Sequence, residues 1–271
     1  MRRSWLQLGS NRFAERVKSI IDDCARTLCS SELGDEDTQC QHLFTSLFSA
    51  LRAEERALTQ LLVRDSQICD LLVEFRYYRS RRRRKAPDKR IQFVEAETGA
   101  DFAFSLFVKL KDIAVTQRHV LAQAKLIGNA RIRVNCRQMD LLQQSGGGEF
   151  GLYAVWGQDI LPFVVTVANM KGVIRACGET PKASQVERFG RALGDYVVED
   201  FLGLWHGIDF YQEEYGETPP KQSPPVLYHL LHAGAPPPNV AHFGVFHASS
   251  VGASPGFYVQ GMDIPEGTPI P

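Results

Sequence analysis

Hydrophobic positions recur at two periods along this chain, and the change of period marks out its elements. Phe13, Val17, Ile20 or Ile21, Cys24 and Leu28 repeat at helical spacing behind Ser10, a good N-cap, which predicts a helix over 11–29. Leu43, Leu47 and Leu51 predict a second helix over 38–51. Leu58, Leu61, Leu62, Ile68, Leu72 and Phe75 extend a third over 53–78. The period then falls to two. Residues 91–97 read as a strand, and behind Asp101 a second strand alternates Phe102, Phe104, Leu106, Val108 and Leu110 with Ala103, Ser105, Phe107 and Lys109. A third runs from His119 to Ile127: Val120, Ala122, Ala124 and Leu126 share one face, Gln123 and Lys125 the other. Ile132, Cys136, Met139 and Leu142 mark a helix over 131–144, ended by the turn Ser145–Gly148, and residues 150–156 are again a strand. Strand, helix, strand implies a parallel crossover. Leu161–Met170 is a further apolar, β-branched run, and Ser184 with Glu187 forms a capping box that opens a helix to about His206. A short strand over 226–231 lies between two proline-rich loops.

This order predicts an α/β fold: a mixed sheet flanked by helices, with a helical N-terminal extension over 1–52 and the α/β domain with C-terminal decoration over 53–271. Composition agrees. The chain has 271 residues, 44% hydrophobic and 23% charged, ordinary for a soluble globular protein. No apolar run reaches the length of a membrane span, and the start Met-Arg-Arg-Ser-Trp lacks the apolar core of a signal peptide, so no membrane partner and a cytoplasmic location are expected. The cysteines show no Cys-x-x-Cys pair; Cys24, Cys29, Cys40 and His42 fit no common zinc spacing and read as packing residues.

Net charge is zero but unevenly spread. Residues 76–90 hold nine Arg and Lys, among them Arg81, Arg82, Arg83, Arg84 and Lys85, against the single acid Asp88. Such a run fits the phosphate backbone of a nucleic acid, an acidic partner protein, or a solvated loop.

The candidate chemistry lies just behind it. If the strands starting at Phe102 and His119 pair as an antiparallel hairpin, Asp101 stands near Gln123 and Lys125. A carboxylate and an amide oxygen are hard ligands suited to Mg²⁺ or Mn²⁺, and a lysine beside them can orient water or offset charge on a phosphate. Gly-Ala-Asp followed by Gln-Ala-Lys on the next strand resembles the PD-(D/E)XK nuclease superfamily, in its Mrr-like variant with Gln in place of the second acid. The resemblance covers roughly residues 50–160 and implies a restriction-endonuclease-like sheet. It also implies a Mg²⁺-dependent endonuclease acting on DNA rather than RNA, with restriction or anti-phage defence as the setting. Asp101, Gln123 and Glu95 would be the metal ligands, Lys125 the catalytic cation, and Glu55 an auxiliary carboxylate on the preceding helix, in Glu-x-x-x-Thr-x-x-Leu. Gln138, on the crossover helix, would face nucleic acid together with Arg81–Lys85. Gln123 carries no charge, which keeps a second reading open: a catalytically inactive nuclease-fold protein that binds nucleic acid or protein. Both readings leave room for a homodimer or a partner protein.

Overall fold

The computed structural model of the chain describes residues 11–29, 35–66, 70–79, 98–110, 114–145, 150–203, 208–209, 230 and 237–247. Three helices come first: α1 (Arg12–Cys29), α2 (Glu36–Ala53) and α3 (Glu55–Ser66). Asn11 caps α1, its Oδ1 accepting from Ala14 N at 3.0 Å, and Asp35 caps α2 by accepting from Thr38 N at 2.8 Å. The third helix is shorter than its hydrophobic spacing predicts. It stops at Ser66, Asp70 turns the chain with φ 60°, and β1 (Leu71–Arg79) follows. Leu72 and Phe75 fit a helical stripe, but Leu71, Val73, Phe75 and Tyr77 fit period two, and the aromatic residues favour the strand.

The remaining elements are β2 (Phe102–Leu110), β3 (Ala114–Gly128), β4 (Arg131–Ile132), α4 (Cys136–Ser145), β5 (Leu152–Gly157), β6 (Ile160–Thr166), α5 (Val167–Cys177), α6 (Ala183–Glu187), β7 (Arg191–Ala192), α7 (Leu193–Asp195), β8 (Ile208–Asp209) and β9 (Asn239–His247), with a π-helical turn over Tyr196–Phe201 behind α7. The mixed sheet runs β1-β9-β2-β3-β5-β6-β7, with β4 and β8 attached to β3. The β2–β3 pair is antiparallel and β3–β5 parallel across α4, as the strand order predicts. β9 is a departure. It lies between β1 and β2, parallel to β2 and antiparallel to β1.

Three further boundaries move, each for a local reason. The helix expected from Arg131 starts at Cys136, because Asn135 caps it: its Oδ1 accepts from Arg137 N (3.0 Å) and Gln138 N (3.3 Å). The apolar run at Leu161 divides at Thr166, whose hydroxyl caps α5 through Asn169 N at 3.2 Å. The long helix expected from Ser184 breaks at Gly190, where a Cβ would stand 2.5 Å from the Phe163 ring. Its capping box does not form; Gln185 Oε1 instead accepts from Lys182 N at 2.9 Å. The strand expected over 91–97 lies outside the described residues, as does that over 226–231 apart from Leu230, which is buried.

One core fills the space between the sheet and α1–α3. Phe13, Val17, Phe44 and Leu47 pack there with Phe102 and Phe104 of β2, Val120 of β3, Phe243 of β9 and Phe201 of the π turn. The first two helices therefore share the sheet's core, and no break in packing falls at residue 52. A second core on the opposite face joins Leu121, Tyr153 and Val165 to Met139 and Leu142 of α4 and Met170 and Val173 of α5. No described helix is long and apolar enough to cross a membrane.

Candidate active site

β3 outruns β2. The ladder ends at Phe102 opposite Ala122, so the N–H groups of Ala124 and Leu126 on that edge meet no strand. Side chains take their place. Asp101, one residue before β2, has its own N–H on Ala122 O at 2.9 Å, and its Oδ2 accepts from Ala124 N at 2.7 Å. Glu36, the first residue of α2, accepts from Leu126 N through Oε1 at 3.2 Å. Its other oxygen, Oε2, lies 3.0 Å from Lys125 Nζ. Two carboxylates thus sit about 7 Å of strand apart on one open edge, with a lysine between them in sequence.

Asp101, Gln123 and Lys125 are all buried, at 4, 1 and 7% exposure. Continued by one residue, the β2–β3 register sets Asp101 opposite Gln123. The three residues singled out in the sequence therefore come together. Gln123 Oε1 is buried with no hydrogen-bond partner among the described residues. A buried amide oxygen without a donor is costly, and a cation beside the Asp101 carboxylate would satisfy it. Among the described residues no three His, Cys, Asp or Glu side chains converge on a point. Among the described residues a metal here would rest on one carboxylate, one amide and backbone or water oxygens, a donor set that suits Mg²⁺.

Several supports hold Asp101. Asn239, the first residue of β9, donates from Nδ2 to Asp101 O at 3.1 Å and accepts from Tyr77 Oη at 2.5 Å. Gly99, at φ 68°, passes so close to α4 that a Cβ would stand 2.3 Å from Gln138 O. Gln138 thus meets the approach to Asp101 through its backbone, and its side chain is half-buried. Tyr153 of β5 is directly beside Gln123 in register, buried, with Oη unpartnered among the described residues. Burial first, then the nearby Cys136 and Asp101, push its phenol above the usual tyrosine range.

Glu55 is not part of this group. Its Oε2 accepts from Phe75 N at 3.4 Å, and Thr59 Oγ1 accepts from Val73 N at 3.2 Å. The Glu-x-x-x-Thr pattern protects the open edge of β1, three strands and about 14 Å from β3. Glu95 and Arg81–Lys85 lie outside the described residues. Glu36, Asn239 and Tyr153 were missed from sequence. Glu36 is 89 residues from Lys125, and only its place behind a capping aspartate marks it as a helix start. Cys29 and Cys40 are buried as packing residues; Cys29 Sγ donates to Ile160 O at 2.9 Å.

A search of protein-family models, of curated proteins and of solved structures finds no match to this chain.

Proposed function

We propose that this protein is a metal-dependent nuclease that hydrolyses DNA phosphodiester bonds in the cytoplasm, with restriction or anti-phage defence as its setting. The observation that carries the reading is the register that sets Asp101 opposite Gln123 and two residues from Lys125 on β3, with the Gln123 amide oxygen buried and without a donor among the described residues. Asp101 and Gln123 would hold Mg²⁺ or Mn²⁺, which supplies Lewis-acid stabilisation of a phosphoryl oxygen when bound. Lys125 places a positive charge beside the reacting phosphate. Glu36 Oε2, 3.0 Å from Nζ, holds the ammonium in place. Burial of the group excludes bulk water and strengthens each of these interactions. In the net reaction the oxygen of one water bonds to phosphorus, the bond to the departing sugar oxygen breaks, and that oxygen takes up a proton.

The neutral Gln123 and the ion pair that already occupies Lys125 favour a second reading, a binding module on the same fold. Purified protein with plasmid DNA and Mg²⁺ or Mn²⁺ separates the two. Cleavage that needs the metal and disappears in Lys125→Ala supports the nuclease; binding without cleavage supports the module.

A further inference from the structure

At the far end of β3 the chain turns through Asn129 and Ala130, both at positive φ, into β4. β4 and the residues behind it pair on their other side with the segment 179–183: Ile132 N donates to Pro181 O, Val134 N to Glu179 O, and Ala183 N to Ala130 O, at 2.9–3.0 Å. The result is a two-stranded apron that extends the β3 edge past Lys125. Ile132 and Val134 turn inward and are buried, so Arg131 and Arg133 face outward. Arg137, in the first turn of α4, and Lys182, bridged to Arg131 across the apron, are exposed as well.

These cations differ from several others on the surface. Arg16, Lys18, Arg26, Lys171 and Arg191 each pair with a carboxylate. Among the described residues Arg131, Arg133, Arg137 and Lys182 pair with none; Arg131 donates to the Thr180 carbonyl at 2.7 Å. The acid within the segment, Glu179, is engaged by Cys136, whose thiol it pushes up. Asp140, on the same helix as Arg137, is taken by Lys171. Four positive side chains thus stand together against one carboxylate, Glu179, beside the end of β3, which lies about 10 Å of strand beyond Lys125. On one strand of a duplex, phosphates recur about every 3.4 Å of helix axis, so an apron of this width reaches two or three of them.

We propose that this apron is the phosphate-backbone contact that seats duplex DNA across the β3 edge, with Arg133, Arg137 and Lys182 as the neutralising cations. The identity of the partner rests on the nuclease reading. The contact is independent of Arg81–Lys85 and carries no sequence preference, because it meets backbone and not base edges.

The test is fluorescence anisotropy of the full chain on a labelled duplex in EDTA, from 50 to 200 mM salt. Replacing Arg133, Arg137 and Lys182 together by Ser should lower the log–log salt slope by about 2.7, three counterions at roughly 0.9 each. A control that removes three exposed cations of α1 and α3, Arg12, Arg56 and Arg64, should leave the slope unchanged. An unaltered slope in the apron variant, an equal fall in the control, or no duplex binding by the parent chain would each overturn the proposal. A parent chain that binds with the expected slopes yet never cleaves with metal would instead sink the nuclease reading and leave the apron standing.

Discussion

On the nuclease reading, Glu36 and Gln123 are the residues whose replacement tests the edge of β3 most directly. Gln123→Glu adds a carboxylate beside Asp101. Cleavage should persist, with half-maximal activity at roughly tenfold lower Mg²⁺, since ligand charge sets affinity for hard cations. Complete loss of activity in a folded variant would assign Gln123 to substrate instead. Glu36→Gln keeps an oxygen for Leu126 N but gives up the charge on Lys125. Lys125 is buried and Glu36 partly exposed, so loss of the charge should cost on the order of 1–3 kcal/mol of stability. The maximal rate should fall about tenfold, equivalent to roughly 1.4 kcal/mol, with metal dependence retained. Glu74 makes a different kind of prediction. It is fully buried on β1, and burial pushes its carboxyl up to about 7 although Arg76 Nη2 lies 2.6 Å away and opposes the shift. A raised carboxyl stabilises the fold fully below the unfolded value near 4.5, and that contribution is lost as pH rises through about 7. The loss is on the order of 3 kcal/mol. Urea midpoints should drop between pH 5 and pH 8 in the parent chain and drop much less in Glu74→Gln.

Elements were legible where one period had no competitor. β2 and β3 alternate cleanly, and their pairing brings Asp101 to Gln123 in the register that the alternation requires. β1 reads as a continuation of α3 because its leucines and Phe75 satisfy both periods, and the turn at Asp70 decides between them. β9 escaped notice for another reason: residues 239–246 are all buried, so no polar face gives the alternation away. Glu36, Asn239 and Tyr153 were illegible because each acts through a residue distant in sequence or on a separate strand. Gly99 is the element-scale device with the sharpest test. Ala there must accept φ near 68° at about 1–2 kcal/mol and also push α4 away from the approach to Asp101. Gly99→Ala should therefore lose about 2–4 kcal/mol in denaturant melts and lose cleavage out of proportion to its folded fraction. Wild-type activity per folded molecule would show that α4 does not position the site.

At the scale of the whole molecule, one sheet carries everything. α1–α3 cover one face and α4–α6 the other, and the candidate site occupies the edge of β3 that runs on past β2 while the other edge stays paired with β5. The order of elements read from the sequence predicts the hairpin and the parallel crossover, and both are present. It does not predict a strand from the far end of the chain between β1 and β2. That strand holds Asp101 through Asn239, across 138 residues, and Tyr77 across 162. Asn239→Ala should leave Asp101 O and Tyr77 Oη without their partner at a cost of about 1–3 kcal/mol, and should reduce cleavage at saturating metal.

The position of β9 also sets an order of events in time. A ribosome delivers the chain from its first residue, so α1–α3, β1, β2 and β3 emerge before the strand that must lie among them. Until Asn239–His247 arrives, β1 and β2 have no common neighbour, and the Asp101 carbonyl lacks the amide that holds it. Long-range pairing of this kind is slow. Any product of interrupted synthesis that stops short of β9 therefore lacks both the strand that joins β1 to β2 and the amide that holds the Asp101 carbonyl.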